Sequence, residues 1–105
     1  MRQSVINELM ECGYEEETAE LIYDSAAEAQ ADMVTCMMFD TPTSIFIIRN
    51  ITILDTYQEI DDYDKAIHDL VKIANKKNIT MYALQHEIIR TMQSRPDDII
   101  QELLR

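Results

Sequence analysis

Few side chains in this sequence have the type and spacing that chemistry requires. His86-Glu87-Ile88-Ile89-Arg90 opens like the helical zinc-protease motif, in which two histidines one turn apart bind the metal and the glutamate between them acts as base. Arg90 stands where the second histidine belongs, so the motif lacks a metal ligand. Asp64 and His68 are four residues apart and share a helix face, where an ion pair is a plainer expectation than a shared metal. Asp61, Asp62 and Asp64 crowd together without the glycine and distal glutamate of a calcium loop, and read as the solvated start of a helix. With a single glycine in the chain, a phosphate-cradling loop is not expected either. These residues predict neither an enzyme nor a bound metal or cofactor.

One pattern is unusual. Glu16, Glu20, Asp24, Glu28 and Asp32 place five carboxylates at strict intervals of four, with no Lys or Arg between them. On a helix each step rises about 6 Å and turns the row by about 40°, giving a spiral of negative charge. Like charges at this spacing destabilise a helix by roughly 0.2 to 0.5 kcal/mol per pair. The row reads either as the solvated face of an amphipathic helix or as a docking surface for a basic groove of the kind that holds a phosphate backbone. Met33, Met37, Met38 and Phe39 follow it. They read as core filler or, if exposed, as the apolar half of an interface, with Met37 and Met38 as candidate contacts. Tyr14, Tyr23, Tyr57 and Tyr63, spread through the acidic half, suit either a binding surface or a half-buried core position.

The elements that carry these residues are helices. Val5, Ile6, Leu9 and Met10 recur at helical spacing before Gly13, which predicts a first helix over 3–12. Glu15-Glu16-Glu17 suits the first turn of a second, over 15–38, with Ala19, Ile22, Ala26, Ala29, Met33 and Cys36 inward. Asp40-Thr41-Pro42 predicts the start of a third, over 42–57. The β-branched stretch inside it also fits a small hairpin at 44–55, although no glycine follows Asn50 to make the turn. Asp61 or Asp62 caps a fourth helix that buries Ile67, Leu70, Val71 and Ala74 and ends at Lys76-Lys77. Thr80 caps a fifth with Met81, Leu84, Ile88 and Met92 on one side, and Ser94 and Pro96 open a short last helix. The expected fold class is all-α, an irregular bundle of five or six helices in one domain over 1–105, with α+β as the alternative if the hairpin forms.

Composition agrees with a folded helical chain: 47% of the 105 residues are hydrophobic and 28% charged, with one Gly and two Pro. Apolar runs such as Ile45 to Ile48 are far short of the ~20 residues of a membrane span, and no secretion signal is present, so a cytoplasmic location is expected. Cys12 and Cys36 read as small buried hydrophobes of a reducing compartment, and the Asn-Ile-Thr triplets at Asn50 and Asn78 carry no weight without secretion. Residues 1–64 hold 15 acidic and two basic side chains (net −13), whereas 65–105 hold five and seven (net +2). Such a field repels nucleic acid and anionic lipid and attracts basic protein surfaces.

Two stretches resemble known families. Leu9-Met10-Glu11-Cys12-Gly13-Tyr14 with Ala19 is similar to the first hairpin of ubiquitin-associated domains; the resemblance covers about 20 residues and implies ubiquitin binding through Gly13 and Tyr14. The third helix of that family is not recognisable. Leu70 to Ile88, above all Lys77-Asn78-Ile79-Thr80-Met81-Tyr82-Ala83-Leu84, resembles the first two helices of helix-turn-helix repressors. Where a recognition helix should follow, Ser94-Arg95-Pro96-Asp97-Asp98 would turn two carboxylates toward bases and phosphates. The sequence therefore leads to an acidic helical binding protein that blocks or regulates a basic, nucleic-acid-handling protein. A phage-type inhibitor of a host defence nuclease that mimics nucleic acid is one form; an immunity or antitoxin-like protein is another. A helical adaptor or homodimer using the methionine-rich surface is the alternative of a different class.

Overall fold

The computed structural model describes residues 2–29, 43–57 and 59–105, and among them every regular element is a helix. These are α1 (Arg2–Glu11), α2 (Glu16–Ala29), α3 (Thr43–Tyr57), α4 (Tyr63–Lys77), α5 (Met81–Gln93) and α6 (Ile99–Leu104), an irregular helical bundle. The hairpin alternative at 44–55 is thereby set aside. Periodicity decides against it: Ile47, Ile51 and Leu54 recur at helical spacing and are fully buried. The threonines that favour strands are accommodated by turning their hydroxyls back along the helix. Thr52 Oγ1 donates to the Ile48 carbonyl at 3.0 Å and Thr56 Oγ1 to the Thr52 carbonyl at 2.8 Å.

Side-chain and backbone groups close the helix ends. The Asp62 carboxylate accepts the Lys65 N–H, and the Thr80 hydroxyl accepts that of Ala83, both at 3.0 Å. Helix α4 stops at Asn78, whose N–H bonds the Ala74 and Asn75 carbonyls and whose left-handed φ of 55° turns the Ile79 N–H back to the Ala74 carbonyl at 3.1 Å. The last helix starts later than Ser94 and Pro96 suggest. Ser94 ends α5, its hydroxyl donating to the Thr91 carbonyl at 2.7 Å, and Arg95 follows with φ 52°. Asp98 then caps α6 by accepting the Gln101 N–H at 3.2 Å. Gly13, at φ 107°, turns the chain between α1 and α2 where a Cβ would strain the backbone.

All six helices contribute to one buried cluster. Helix α2 lies against α4, and the residues it buries are mostly small (Ala19, Ser25, Ala26, Ala29), as are Ala66 and Ala74 on α4. Helix α3 packs on α2, α4 and α5 and runs parallel to α5, since Phe46 meets Tyr82 near both starts and Tyr57 Oη donates to the Pro96 carbonyl near both ends. The Cα radius of gyration is 12.7 Å, close to the ~13 Å of a well-packed chain of this length. One sequence expectation fails at the end of α1: Cys12 is exposed rather than buried, because the helix ends beside it and Gly13 carries the chain away. The expected extension of α2 to residue 38, with Met33 and Cys36 inward, and the start signal Asp40-Thr41-Pro42 lie outside the described residues.

Asn50 is the anomaly of the core. Its side chain is fully buried on α3, and neither Nδ2 nor Oδ1 has a hydrogen-bond partner among the described residues. An unmet buried amide costs about 1 to 3 kcal/mol, whereas an apolar group of the same shape there incurs no such loss. We therefore predict that Asn50→Leu raises the thermal midpoint, by roughly 4 to 8 °C for each kcal/mol regained. A thermal melt followed by circular dichroism checks this, and a lowered midpoint would mean that the amide is satisfied in solution.

Candidate functional site

On α2 the buried positions Ala19, Ile22, Ser25, Ala26 and Ala29 define one arc of the helix. At about 100° per residue, Glu16, Glu20, Asp24 and Glu28 sweep the opposite arc, so the row expected from the sequence lies on the solvent side. Glu16, Asp24 and Glu28 are exposed and Glu20 is half-buried; Glu17, also exposed, widens the same surface. Asp32, Met37 and Met38 lie outside the described residues, so the structure brings together four of the seven proposed partner-binding residues.

The two cations of the acidic half are both engaged with carboxylates. Arg2 meets Asp24 at 3.4 Å and sits 5.7 Å from the centre of the Tyr23 ring; Arg49 meets Glu8 at 3.4 Å. Both pairs are long and solvated, a geometry worth about 0 to 1 kcal/mol. Arg2 interrupts the spiral at Asp24, a contact between elements that spacing along α2 could not reveal. Glu11, Glu15, Glu16, Glu17, Glu20 and Glu28 have no ion pair among the described residues. In the C-terminal half Lys65 is instead paired with Asp69 at 3.0 Å, and Arg90 and Arg105 with Glu87 and Glu102. The contact with Arg90 holds the Glu87 carboxyl below its usual range.

The smaller constellations are ordinary by comparison. Asp64 and His68 face each other at 3.6 Å as an i, i+4 pair on the outside of α4. His86 stacks edge-on against Tyr82 with ring centres 4.9 Å apart. Among the described residues, no three His, Cys, Asp or Glu side chains are grouped to hold a metal ion, and no helix is long and apolar enough to cross a membrane. Asn50, fully buried in its Asn-Ile-Thr triplet, is closed to glycosylation in the folded state.

Two depressions flank the turn after α1. The first, about 220 Å³, opens between α1, α3 and the Gln85 side of α5, over a floor of Val5, Leu9, Ile45, Ile48 and Ile53. Glu8, Cys12 and Arg49 stand among its walls. Sequence reading missed this cleft because its lining comes from three separate helices. The second is polar and lined by Cys12, Gly13, Tyr14, Thr52, Asp55 and Thr56. The Tyr14 ring packs edge-on against Tyr63, centres 5.8 Å apart, and its hydroxyl is buried beside the Asp55 carboxylate without a hydrogen bond of good geometry. Burial first, and Asp55 second, push the Tyr14 phenol well above the ordinary tyrosine value; burial, Asp55 and Asp61 raise Tyr63 in the same direction.

No protein family matches the chain, and neither does any curated protein or solved structure. The helix–turn–helix over 70–88 and the α1–Gly13–α2 hairpin thus stand as local geometry, without a family behind either.

A raised phenol pKa in the fold means that the neutral form is favoured there. The associated stability is complete below the ordinary tyrosine value of about 10 and is lost as pH rises from there toward the raised folded value. We predict that the thermal midpoint of the wild-type chain falls between pH 9 and 11 more steeply than that of Tyr14→Phe. Parallel curves for the two proteins would show that the Tyr14 phenol ionises in the fold as readily as in the unfolded chain.

Proposed function

We propose that this chain is an acidic protein-binding module whose α1–α2 surface occupies the basic, phosphate-binding groove of a nucleic-acid-handling protein and so blocks or regulates it. One observation carries the reading: among the described residues Glu11, Glu15, Glu16, Glu17, Glu20 and Glu28 have no ion pair, the two arginines of that half being taken by Asp24 and Glu8. A groove built for a polyanion presents Lys and Arg in a row, and carboxylates rising about 6 Å per step along a helix offer it a rigid substitute with the same sign of charge. A surface of that sign also speeds encounter with a basic partner and repels free nucleic acid. An inhibitor of a defence nuclease and an immunity-type protein are two forms of this function.

The test is capture from host lysate on the tagged protein, eluted by a salt step, with the Glu16→Lys, Glu20→Lys, Glu28→Lys triple variant as the control bait. The expected result is a basic nucleic-acid-binding protein that is held at low salt, released as salt screens the charges, and absent from the control. Equal capture by both baits would remove the α2 surface from the account. Self-capture alone would turn the reading toward the adaptor or homodimer class.

A further inference from the structure

We propose that the cleft between α1, α3 and α5 takes a single large apolar side chain, presented by a Lys- and Arg-rich segment of the partner; this rests on the reading of the acidic surface just given. Charged contacts alone supply steering and register, whereas affinity in protein interfaces concentrates in a few apolar anchors seated in dry pockets. The described surface has a seat of that kind. Its floor is aliphatic, and its volume is about 220 Å³. That suits one large side chain better than a drug-sized ligand, whose pockets begin near 300 Å³.

Charge chooses the occupant. Glu8 stands in the wall, Glu11 ends α1, and Glu15, Glu16 and Glu17 follow within five residues of Cys12, which also lines the cleft. Asp55 lies one turn beyond Thr52 in the adjoining polar depression, which shares Cys12 and Thr52 with the cleft. Among the described residues lining the cleft the one cation is Arg49, and it is paired with Glu8. An apolar group flanked by lysines or arginines places its charges on this collar. An apolar anion would oppose it, and a second copy of the chain would bring a further net charge of −11 to the contact.

The experiment measures fluorescence anisotropy at low salt with three labelled nine-residue peptides: eight lysines around a central phenylalanine, the same with central glycine, and eight aspartates around phenylalanine. The expected result is that the lysine–phenylalanine peptide binds at least tenfold more tightly than its glycine twin, and the aspartate peptide not at all. Ile53→Gln, which puts an amide in the floor, should abolish the preference while leaving the binding common to both lysine peptides. Cys12→Phe, which covers the mouth from an exposed position, should do the same and serves if the first variant unfolds. Equal binding of the two lysine peptides would overturn the anchor and leave the acidic surface standing. No binding by either would overturn both. Binding of the aspartate peptide, or a concentration-dependent dimer mass that Ile53→Gln abolishes, would assign the cleft to a different occupant.

Discussion

Burial of one face of α3 is the constraint on which the rest of the structure depends. Ile47, Ile51 and Leu54 are excluded from water at the junction of α2, α4 and α5, and burying side chains of this size stabilises by about 1.5 to 3 kcal/mol each. A strand would send Ile47 and Ile51 to one face and Leu54 to the other. The helix collects them on one side and leaves Arg49 and Thr56 outside. β-branched side chains have only a weak preference against helix, and packing overrides it here. Asn50 sits in the same buried face, so the element that organises the core also carries an unmet amide.

Helix α2 divides its circumference between the fold and the field. Its small inward residues let it settle against α4, so little of its surface is needed for anchorage. The rest is free to carry charge, and Glu16, Glu17, Asp24 and Glu28 are all exposed there. Like-charge spacing makes this arrangement slightly unfavourable for the helix itself, and among the described residues only Arg2 forms an ion pair with it from a neighbouring element. The balance is tolerable because solvated charges interact weakly; it is also what leaves a strong field outside the molecule.

Much of this was legible in the sequence wherever a local rule acts alone. Helical spacing located Ile67, Leu70, Val71 and Ala74 of α4, though not Ala66 and Ile73, and Met81, Leu84 and Ile88 of α5, and side-chain oxygens at Asp61 or Asp62 and at Thr80 marked the starts. Local rules failed where two signals competed or where the third dimension decided. Ser94 and Pro96 resemble a helix start, yet Ser94 closes α5 and the cap falls to Asp98, because the left-handed Arg95 must be passed first. Asn78 at a helix end is a left-handed residue in place of glycine, a signal overlooked beside the more visible lysines. The exposure of Cys12, the Arg2 contact with Asp24 and the three-helix cleft arise from elements distant in sequence, and no periodicity encodes them. Of the proposed site, Glu16, Glu20, Asp24 and Glu28 fall on one solvent arc as their spacing implied.

The central claim is that the α2 carboxylates form a surface held for a partner at a small cost to the fold, rather than a part of what holds the fold together. The most direct measurement is the thermal midpoint of the Glu16→Gln, Glu20→Gln, Glu28→Gln variant against wild type, in low and in high salt. The account predicts a midpoint equal to or above that of wild type at low salt, with the difference closing as salt screens the like charges. A clear loss of stability in the variant would contradict it, because the carboxylates would then be working for the fold.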